Sequence, residues 1–385
     1  MRFLHTSDWH LGRSLGEHRL LDDQADFIDW LVDVVTAERV ELVLVAGDLY
    51  DRPIPPASAV LLLREAFQRI NAAGAEIVAI AGNHDSAERV AAYDGLTDSQ
   101  GVLIRGGYQR AGGLVVRDFS DGPLAIAPVP YLDPLLAPVP DSDLVQSTHD
   151  GRTHDSVLAS ALARATAELA VGVRSVAVAH AFVTGGMPAG SEREVSVGST
   201  ARVHIDHFAA FDYVALGHLH RPQVVGGQDT RRYCGSPLAY SFSERGPKEV
   251  VLVDASAGGS FRSAALEVPV GRGVGVIRGR FDDVCAQPDA SLVDRYVRIE
   301  LTDSIVVLDA HRRLREIYPY VAEVAALPER LDSEVDRRLA DVAAEVDPIS
   351  QFEDFWVDTT GDRPDAETLR RFEASLHRVA AGVTT

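Results

Sequence analysis

Five groups of polar side chains each follow a short apolar run of the kind that forms a buried strand. Their members include carboxylates, imidazoles and one amide, and glycine accompanies three of the groups. In α/β sheets, ligands bind beyond the carboxyl ends of the strands, so we expect the five groups to converge on one site. The groups are Ser7-Asp8-Trp9-His10, Gly47-Asp48-Leu49-Tyr50-Asp51, Gly82-Asn83-His84-Asp85, His180 and Gly217-His218-Leu219-His220.

The side-chain types in these groups are those that hold divalent metal ions. Carboxylate, imidazole and amide donors are hard or borderline ligands, and without a thiolate they favour Mn²⁺, Fe or Zn²⁺. Each group alone is also typical of an ordinary turn or of a hydrogen-bonded core histidine. Five such groups in order predict a metal pair. Two ions roughly 3.5–4 Å apart polarise a phosphoryl group and generate a hydroxide nucleophile.

The elements that must position these groups alternate along roughly residues 1–255. Short runs rich in Val, Ile, Leu and Ala predict strands, and longer segments with helical periodicity lie between them. This alternation predicts an α/β core. The predicted strands are Phe3–Thr6, Leu42–Ala46, Ile77–Ala81, Leu124–Pro128, Val176–Ala179, Tyr213–Leu216 and Val250–Val253, and the predicted helices are Leu20–Ala37, Ser58–Asn71 and Ser156–Ala170.

The pattern changes near Val268, where a strand at Tyr296–Leu301, a helix around Leu308–Ile317 and a run at Tyr318–Val324 predict a small second domain. The acidic stretch Asp341–Asp358 has the composition of a solvated linker, although its aromatic residues can also dock on a partner. A final helix follows Pro364. Its apolar stripe either docks on a partner or packs on the second domain, and it consists of Leu369, Phe372, Leu376 and Val379.

The composition limits the class of protein. The formal net charge of −20 argues against unaided, high-affinity DNA binding, because phosphate contacts need Lys and Arg and Lys248 is the only lysine. Either the substrate is not DNA, or bound metal and a partner protein supply the attraction. Two cysteines, no signal-peptide pattern and no long apolar run favour a cytoplasmic protein without membrane spans.

The order of the five groups resembles the calcineurin-like metallophosphoesterase superfamily, over roughly residues 1–255. Three further segments are similar to the bacterial SbcD-type nuclease subunits. The resemblance implies an α/β fold with a two-sheet β-sandwich metallophosphoesterase core flanked by helices, a small α+β capping domain and a C-terminal helical tail. The three segments are His5–Arg13, Ala215–Gln223 and Gly235–Glu244, and His180–Gly186 followed by Ser191–Arg193 fits the same resemblance.

The resemblance also implies roles for individual residues. Asp48 would bridge two divalent ions, expected to be Mn²⁺, and His84 would face the scissile phosphate without binding metal. Arg13 and Arg221 would contact DNA phosphates, or form surface salt bridges instead. One ion would be held by Asp8, His10, Asp48 and His220, and the other by Asp48, Asn83, His180 and His218.

The implied function is a DNA nuclease for DNA repair, recombination and replication. It would act as a 3′-to-5′ exonuclease on double-stranded ends and as an endonuclease on single strands and hairpins, as a homodimer with an SbcC-type coiled-coil ATPase. The domains would be 1–267 (nuclease), 268–340 (capping) and 341–385 (linker and ATPase docking). Two alternatives stay open: a phosphodiesterase or phosphatase for nucleotides or phosphoproteins, and an assembly subunit that mainly regulates an ATPase.

Overall fold

The computed structural model describes residues 1–137, 152–188, 192, 202–328, 349, 352–353, 356–357 and 363–372. The chain divides into two compact units, Met1–Leu327 and Pro328–Thr385. Within the described ranges, no helix combines the length and the apolarity that a bilayer span requires.

The first unit contains all of the strands and longer helices that the described residues form. In chain order the strands are β1 (Arg2–Thr6), β2 (Ser14–Leu15), β3 (His18–Arg19), β4 (Leu42–Val45), β5 (Glu76–Ile80), β6 (Val102–Arg105), β7 (Val115–Phe119), β8 (Gly122–Val129), β9 (Arg174–His180), β10 (Phe182–Val183), β11 (Arg202–Val203), β12 (Tyr213–Gly217), β13 (Gln223–Val225), β14 (Gln228–Tyr233), β15 (Glu249–Ala255), β16 (Phe261–Glu267), β17 (Val274–Gly279), β18 (Tyr296–Leu301) and β19 (Val321–Ala326). The α-helices are α1 (Leu21–Ala37), α2 (Ala57–Ala72), α3 (Ala87–Val90), α4 (His154–Glu168), α5 (Phe281–Ala286) and α6 (Ala310–Arg315).

Two six-stranded sheets form the predicted sandwich. Sheet 1 has the order β16-β15-β1-β4-β5-β6, and sheet 2 has the order β13-β14-β12-β9-β8-β7. The strands β1, β4 and β5 are parallel in sheet 1, and β9 and β12 are parallel in sheet 2. The strands that precede the five polar groups therefore end at one edge of their own sheet.

Alternation along each strand explains why the sheets are covered on both faces. In β4, Leu42 and Leu44 face the second sheet, while Val43 and Val45 pack against the helices α1 and α2. Helix α4 covers the outer face of sheet 2 in the same way, with Leu158 and Leu162 in its core. Because successive side chains of a strand point to opposite faces, strands that are apolar at every position are buried on both sides.

The predicted second domain begins with a strand that its sequence does not reveal. The three strands β17, β18 and β19 are all parallel and alternate with α5 and α6, so this part is a βαβαβ unit. Parallel neighbours need crossover connections, and α5 and α6 provide them here. The predicted boundaries at 267 and 340 stay predictions, and residues 329–340 lie outside the described residues.

The second unit is described only in part. Residues 366–372 are helical, and the ring of Phe352 stacks on that of Phe372 with 4.1 Å between the centroids. Most of the predicted linker lies outside the described residues, as do Leu376 and Val379 of the predicted apolar stripe.

Candidate metal centre

Adjacent loops carry Asp8, His10 and Asp48 beyond sheet 1. The amide of Asp8 donates to the carbonyl of Gly47, and that of His10 donates to the carbonyl of Asp48, each at 3.0 Å. The backbone φ angles are +53° at Asp8, +44° at His10 and +48° at Asp48, and His218 beyond sheet 2 has +106°. Such conformations cost about 1–3 kcal/mol each in side-chain-bearing residues, so the surrounding packing must enforce them.

Nearly all of the predicted ligands are buried together. Ligand atoms of Asp8, His10 and His220 lie within 4.8 Å of one another, and so do those of Asp8, Asp48 and His180. The exposed fraction is 0% for Asp8, His10 and His180, 2% for Asp48 and His220, and 5% for His218, whereas Asn83 is half-buried. The structure therefore brings all seven predicted ligands into one cluster.

On one side of the cluster, two imidazoles face each other. Nε2 of His10 lies 3.0 Å from Nε2 of His220. Within the described chain, Nδ1 of His10 is buried without a hydrogen-bond partner. Two ring nitrogens at this distance beside the Asp8 carboxylate are an arrangement that a shared cation stabilises.

On the other side, an amide oxygen takes the central place. Oδ1 of Asn83 lies 2.9 Å from Nε2 of His180 and 3.0 Å from Nδ1 of His218. The far nitrogen of His180, Nδ1, donates to the carbonyl of Ala46 at 2.9 Å. This bond keeps the proton on Nδ1 and leaves the Nε2 lone pair directed into the cluster.

Asp48 lies between the two sides. Its Oδ2 is 3.5 Å from Nε2 of His10 and 3.5 Å from Nε2 of His180. Its Oδ1 accepts a hydrogen bond from the amide of His84 at 2.9 Å. One carboxylate thus contacts imidazoles from both sheets, which is the position that a bridging ligand requires.

The titration behaviour fits a cation site. Burial lowers the pKa of His10 and of His218 well below the ordinary value, and neighbouring imidazoles lower it further. Burial also raises the pKa of Asp8. Neutral imidazoles are the form that binds metal, and a buried carboxylate needs a positive partner. The donor set therefore suits divalent ions, which would supply the missing positive charge.

Asp85 joins two of the ligand loops, a role that sequence reasoning did not assign. Its carboxylate accepts the amides of Gly82 at 2.9 Å, Leu49 at 3.0 Å and Tyr50 at 2.9 Å. Burial, followed by the charge of Asp48, raises its pKa to about 7. The only signal in the sequence is its place in Gly-Asn-His-Asp, where an aspartate is also typical of a turn.

His84 lies at the open side of the cluster. Its Nδ1 is 2.9 Å from the carbonyl of Asp51, its ring is 4.7 Å from that of His10, and its side chain is only half-buried. Its ligand atom also lies within 4.8 Å of those of His10 and Asp48. These distances are therefore compatible with two roles for His84, as a metal ligand or as a group that faces the substrate.

The two arginines that the resemblance implies differ in their surroundings. Arg13 forms an ion pair with Asp51 at 3.0 Å and lies over the ring of Tyr240 at 5.3 Å. It therefore forms the salt bridge that was the alternative to a phosphate contact. Arg221 is exposed and lines an open pocket of about 490 Å³ that His220 also borders.

Glu244 is a second residue to which the sequence assigned no role. Its carboxylate is buried and accepts from Nδ1 of His220 at 3.2 Å. Burial alone would raise its pKa, but the hydrogen bond from His220 and the charge of Lys248 lower it to about 2. Burial likewise lowers the pKa of His220, but Glu244 outweighs that effect and the pKa is raised overall.

Comparisons with known proteins agree with this geometry. The profile of calcineurin-like phosphoesterases matches residues 1–222. A Bacillus subtilis protein, described as the SbcD component of the nuclease SbcCD, is 31% identical over 395 residues, with 97% of each chain covered. The chain belongs to the SbcD type of the calcineurin-like phosphoesterase family. The profile named "Type 5 capsule protein repressor C-terminal domain" matches residues 270–360 of this SbcD-type chain.

Solved structures give more distant likenesses to this SbcD-type chain. A Thermus thermophilus protein has 11% identity and a TM-score of 0.37, with 69% of this chain and 98% of that chain covered. A dimetal phosphatase from Danio rerio has 13% identity and a TM-score of 0.36, with 70% and 98% covered.

Proposed function

We propose that the chain is a metal-dependent DNA nuclease with a binuclear centre. The observation that carries this proposal is the place of Asp48, whose Oδ2 lies 3.5 Å from an imidazole of each sheet. A carboxylate in this place could ligate two divalent ions, and a pair of such ions would supply the charge that hydrolysis of a phosphodiester needs. The name of the Bacillus subtilis relative supports nuclease activity.

The seven predicted ligands divide into two sets that share Asp48. When bound, the two ions, which we expect to be Mn²⁺, polarise the phosphodiester and supply its nucleophile. Hydrogen bonds such as the one from Nδ1 of His180 to the carbonyl of Ala46 would keep these ligands oriented. One set is Asp8, His10, Asp48 and His220, and the other is Asp48, Asn83, His180 and His218.

His84 serves the reacting phosphate in this proposal. The bond from Nδ1 to the Asp51 carbonyl leaves Nε2 free to face a substrate. At that place an imidazole stabilises the growing negative charge or protonates the leaving oxygen.

The wider setting is an ATP-driven complex. The activities proposed are 3′-to-5′ exonuclease on double-stranded ends and endonuclease on single strands and hairpins, in DNA repair and recombination. The sequence has no Gly-x-x-x-x-Gly-Lys-Ser/Thr motif, so an SbcC-type coiled-coil ATPase would bind the nucleotide, docked on the segment 341–385. Such a partner would also offset the net charge of −20, which disfavours the binding of DNA.

A homodimer is part of the same proposal. On α2, Leu63, Phe67 and Ile70 are buried in the core, while Val60 and Leu61 are 43% and 52% exposed. This is more apolar surface than a single core-facing stripe needs, and a dimer interface would cover it. Light scattering that finds a monomer at micromolar concentration would contradict the dimer.

The first experiment measures Mn²⁺-dependent release of nucleotides from linear duplex DNA, with and without a coiled-coil ATPase. We expect cleavage by the wild type and a loss of about 100-fold or more in His84→Ala, because the group acts on the reacting phosphate. Both ions should remain bound. His311→Ala, which changes an exposed histidine that pairs with Glu17 rather than with a predicted ligand, is the matched control and should cleave normally.

Two other results would replace the proposal. Rapid hydrolysis of a small phosphodiester without DNA cleavage would favour the nucleotide phosphodiesterase, which the acidic composition also favours. Stimulation of the ATPase without hydrolysis of either substrate would favour the regulatory subunit.

A further inference from the structure

A buried cluster lies behind the ring of His220. Nε2 of this ring lies 3.0 Å from Nε2 of His10, whereas its opposite nitrogen, Nδ1, donates to Oε1 of Glu244 at 3.2 Å. The side chain of Glu244 is only 2% exposed. The imidazole is therefore held between the ligand cluster on one edge and a shielded carboxylate on the other.

Glu244 is itself held in place by the only lysine of the chain. Nζ of Lys248 donates to Oε2 of Glu244, to Oγ of Ser236 at 2.8 Å and to the carbonyl of His220 at 3.3 Å. An ammonium has three donors, so each one has an acceptor here. Because all three are satisfied, Lys248 fixes the carboxylate of Glu244 relative to the backbone of His220.

Stability alone does not account for this arrangement. A buried ion pair contributes little net stability, because removing both charges from water costs about as much as their attraction returns. Glu249 offers a comparison, since it is next to Lys248 in sequence and its ion-pair partner in the described chain is Arg232, at 3.1 Å. Glu244 differs because one of its oxygens contacts Lys248 and the other contacts a candidate ligand.

The contact decides which nitrogen of His220 can bind a cation. A neutral imidazole carries one N–H, and an ionised carboxylate only accepts hydrogen bonds. Glu244 therefore keeps the proton on Nδ1, and the Nε2 lone pair is directed toward the cluster. A carboxylate behind an imidazole also makes the ring a stronger ligand.

We propose that Glu244, anchored by Lys248, is a positioning residue that sets the tautomer and the orientation of His220 for metal binding. This inference rests on the proposed function, because it requires His220 to be a metal ligand. It extends the site to a residue 24 positions away in the sequence. It also separates the two sides of the centre, since the contact reaches His220 and not the ligands Asn83, His180 and His218.

The test measures Mn²⁺ bound per chain by equilibrium dialysis over a range of Mn²⁺ concentrations. Glu244→Gln retains the shape but can present an N–H to the ring, which favours the wrong tautomer. We expect two ions in the wild type and, in this variant, one ion bound about 10–100-fold more weakly. Lys248→Met should weaken the same ion, and Lys248→Arg should recover part of the loss. Glu249→Gln, which breaks the neighbouring ion pair, is the matched control and should bind both ions normally.

A spectroscopic readout separates positioning from general stability. In protein loaded with Co²⁺, the exchangeable proton on Nδ1 of a ligating imidazole gives a strongly shifted NMR signal. We expect the signal of His220 to disappear in Glu244→Gln and to persist in Glu249→Gln. If Glu244→Gln fails to fold by circular dichroism, Lys248→Met gives the same comparison without changing the carboxylate.

The outcomes separate this inference from the proposed function. Two ions bound to Glu244→Gln or to Lys248→Met with wild-type affinity, and an unchanged signal, would overturn the positioning role. A wild type that binds two ions but cleaves no DNA would overturn the nuclease and leave the positioning role standing. A wild type that binds no ion would overturn both.

Discussion

His180 and His220 both direct Nε2 into the candidate centre, but different groups hold the two rings from behind. Behind His180 is the carbonyl of Ala46, whereas behind His220 is the carboxylate of Glu244. The carbonyl is fixed by the backbone of sheet 1 and carries no net charge. The carboxylate depends on the side chains of Lys248 and Ser236 and adds a negative charge. One side of the centre is thus encoded by backbone geometry, and the other by side chains that mutation can change.

Asp48 is the residue at which the two sides meet, so its replacement should have the largest effect. Asp48→Asn keeps the size of the side chain but removes the charge that a bridging position requires. We expect loss of both ions and a decrease of about 1,000-fold or more in DNA cleavage, which corresponds to several kcal/mol of lost transition-state stabilisation. Bound Mn²⁺ and nucleotide release are measured on the same samples. Retention of both ions would contradict the bridging role.

A glycine offers a way to disturb only the side of His180. A Cβ on Gly217 would lie 1.8 Å from the carbonyl oxygen of Ala46 and 3.0 Å from Nδ1 of His180. Both neighbours are fixed by the sheets, so Gly217→Ala must displace the carbonyl that holds the ring. We expect the free energy of unfolding to fall by about 1–3 kcal/mol. The affinity for one ion should fall about tenfold, as for other supporting partners of a ligand.

The measurement compares urea unfolding and Mn²⁺ binding in Gly217→Ala with those in Gly258→Ala. A Cβ on Gly258 would meet only Oγ of Ser256, at 3.9 Å, so this control should behave as the wild type. Normal binding of both ions by Gly217→Ala would show that the Ala46 carbonyl does not orient His180.

His5 should give the smallest effect, because its ring contacts Tyr213 and the carbonyl of Leu216 rather than any ligand. Burial lowers its pKa to about 3, and the charge of Arg232 contributes to the shift. The unfolded chain therefore binds a proton near pH 6.5 that the folded chain does not bind until about pH 3. Stability is thus greatest above pH 6.5 and decreases as the pH falls toward 3.

The contribution of His5 between pH 7 and pH 5 is about 2 kcal/mol of unfolding free energy. We expect His5→Gln to be less stable than the wild type at pH 7, and the difference to shrink by about that amount at pH 5. Urea unfolding in the presence of a chelator measures this difference without interference from metal. A difference that is the same at both pH values would contradict the neutral, buried state of His5.

The sequence predicts the centre of each sheet better than its edges. The strands β4 and β5 and the segment 176–179 of β9 are apolar at nearly every position because they are buried on both faces, so they appear as uninterrupted runs. The edge strands β7 and β16 alternate between half-buried and exposed side chains, and β14 contains two adjacent arginines. Such strands have no apolar run, and only pairing with a neighbour reveals them.

The candidate site divides in the same way. The seven ligands follow strand ends, so their loops and their convergence can be predicted from local patterns. Asp85 and Glu244 cannot be predicted in this way, because their roles depend on contacts between separate loops. The nitrogen that each ring directs inward is also invisible in the sequence: His218 uses Nδ1, whereas His10, His180 and His220 use Nε2.

The single lysine makes local opening of the chain measurable by proteolysis. A protease specific for lysine can cut the chain at one place only, after Lys248. The side chain of Lys248 is 11% exposed and fully hydrogen-bonded, so cutting requires the segment behind His220 to open. The rate at which one band becomes two on a gel therefore measures how often that segment opens, without any label or substitution.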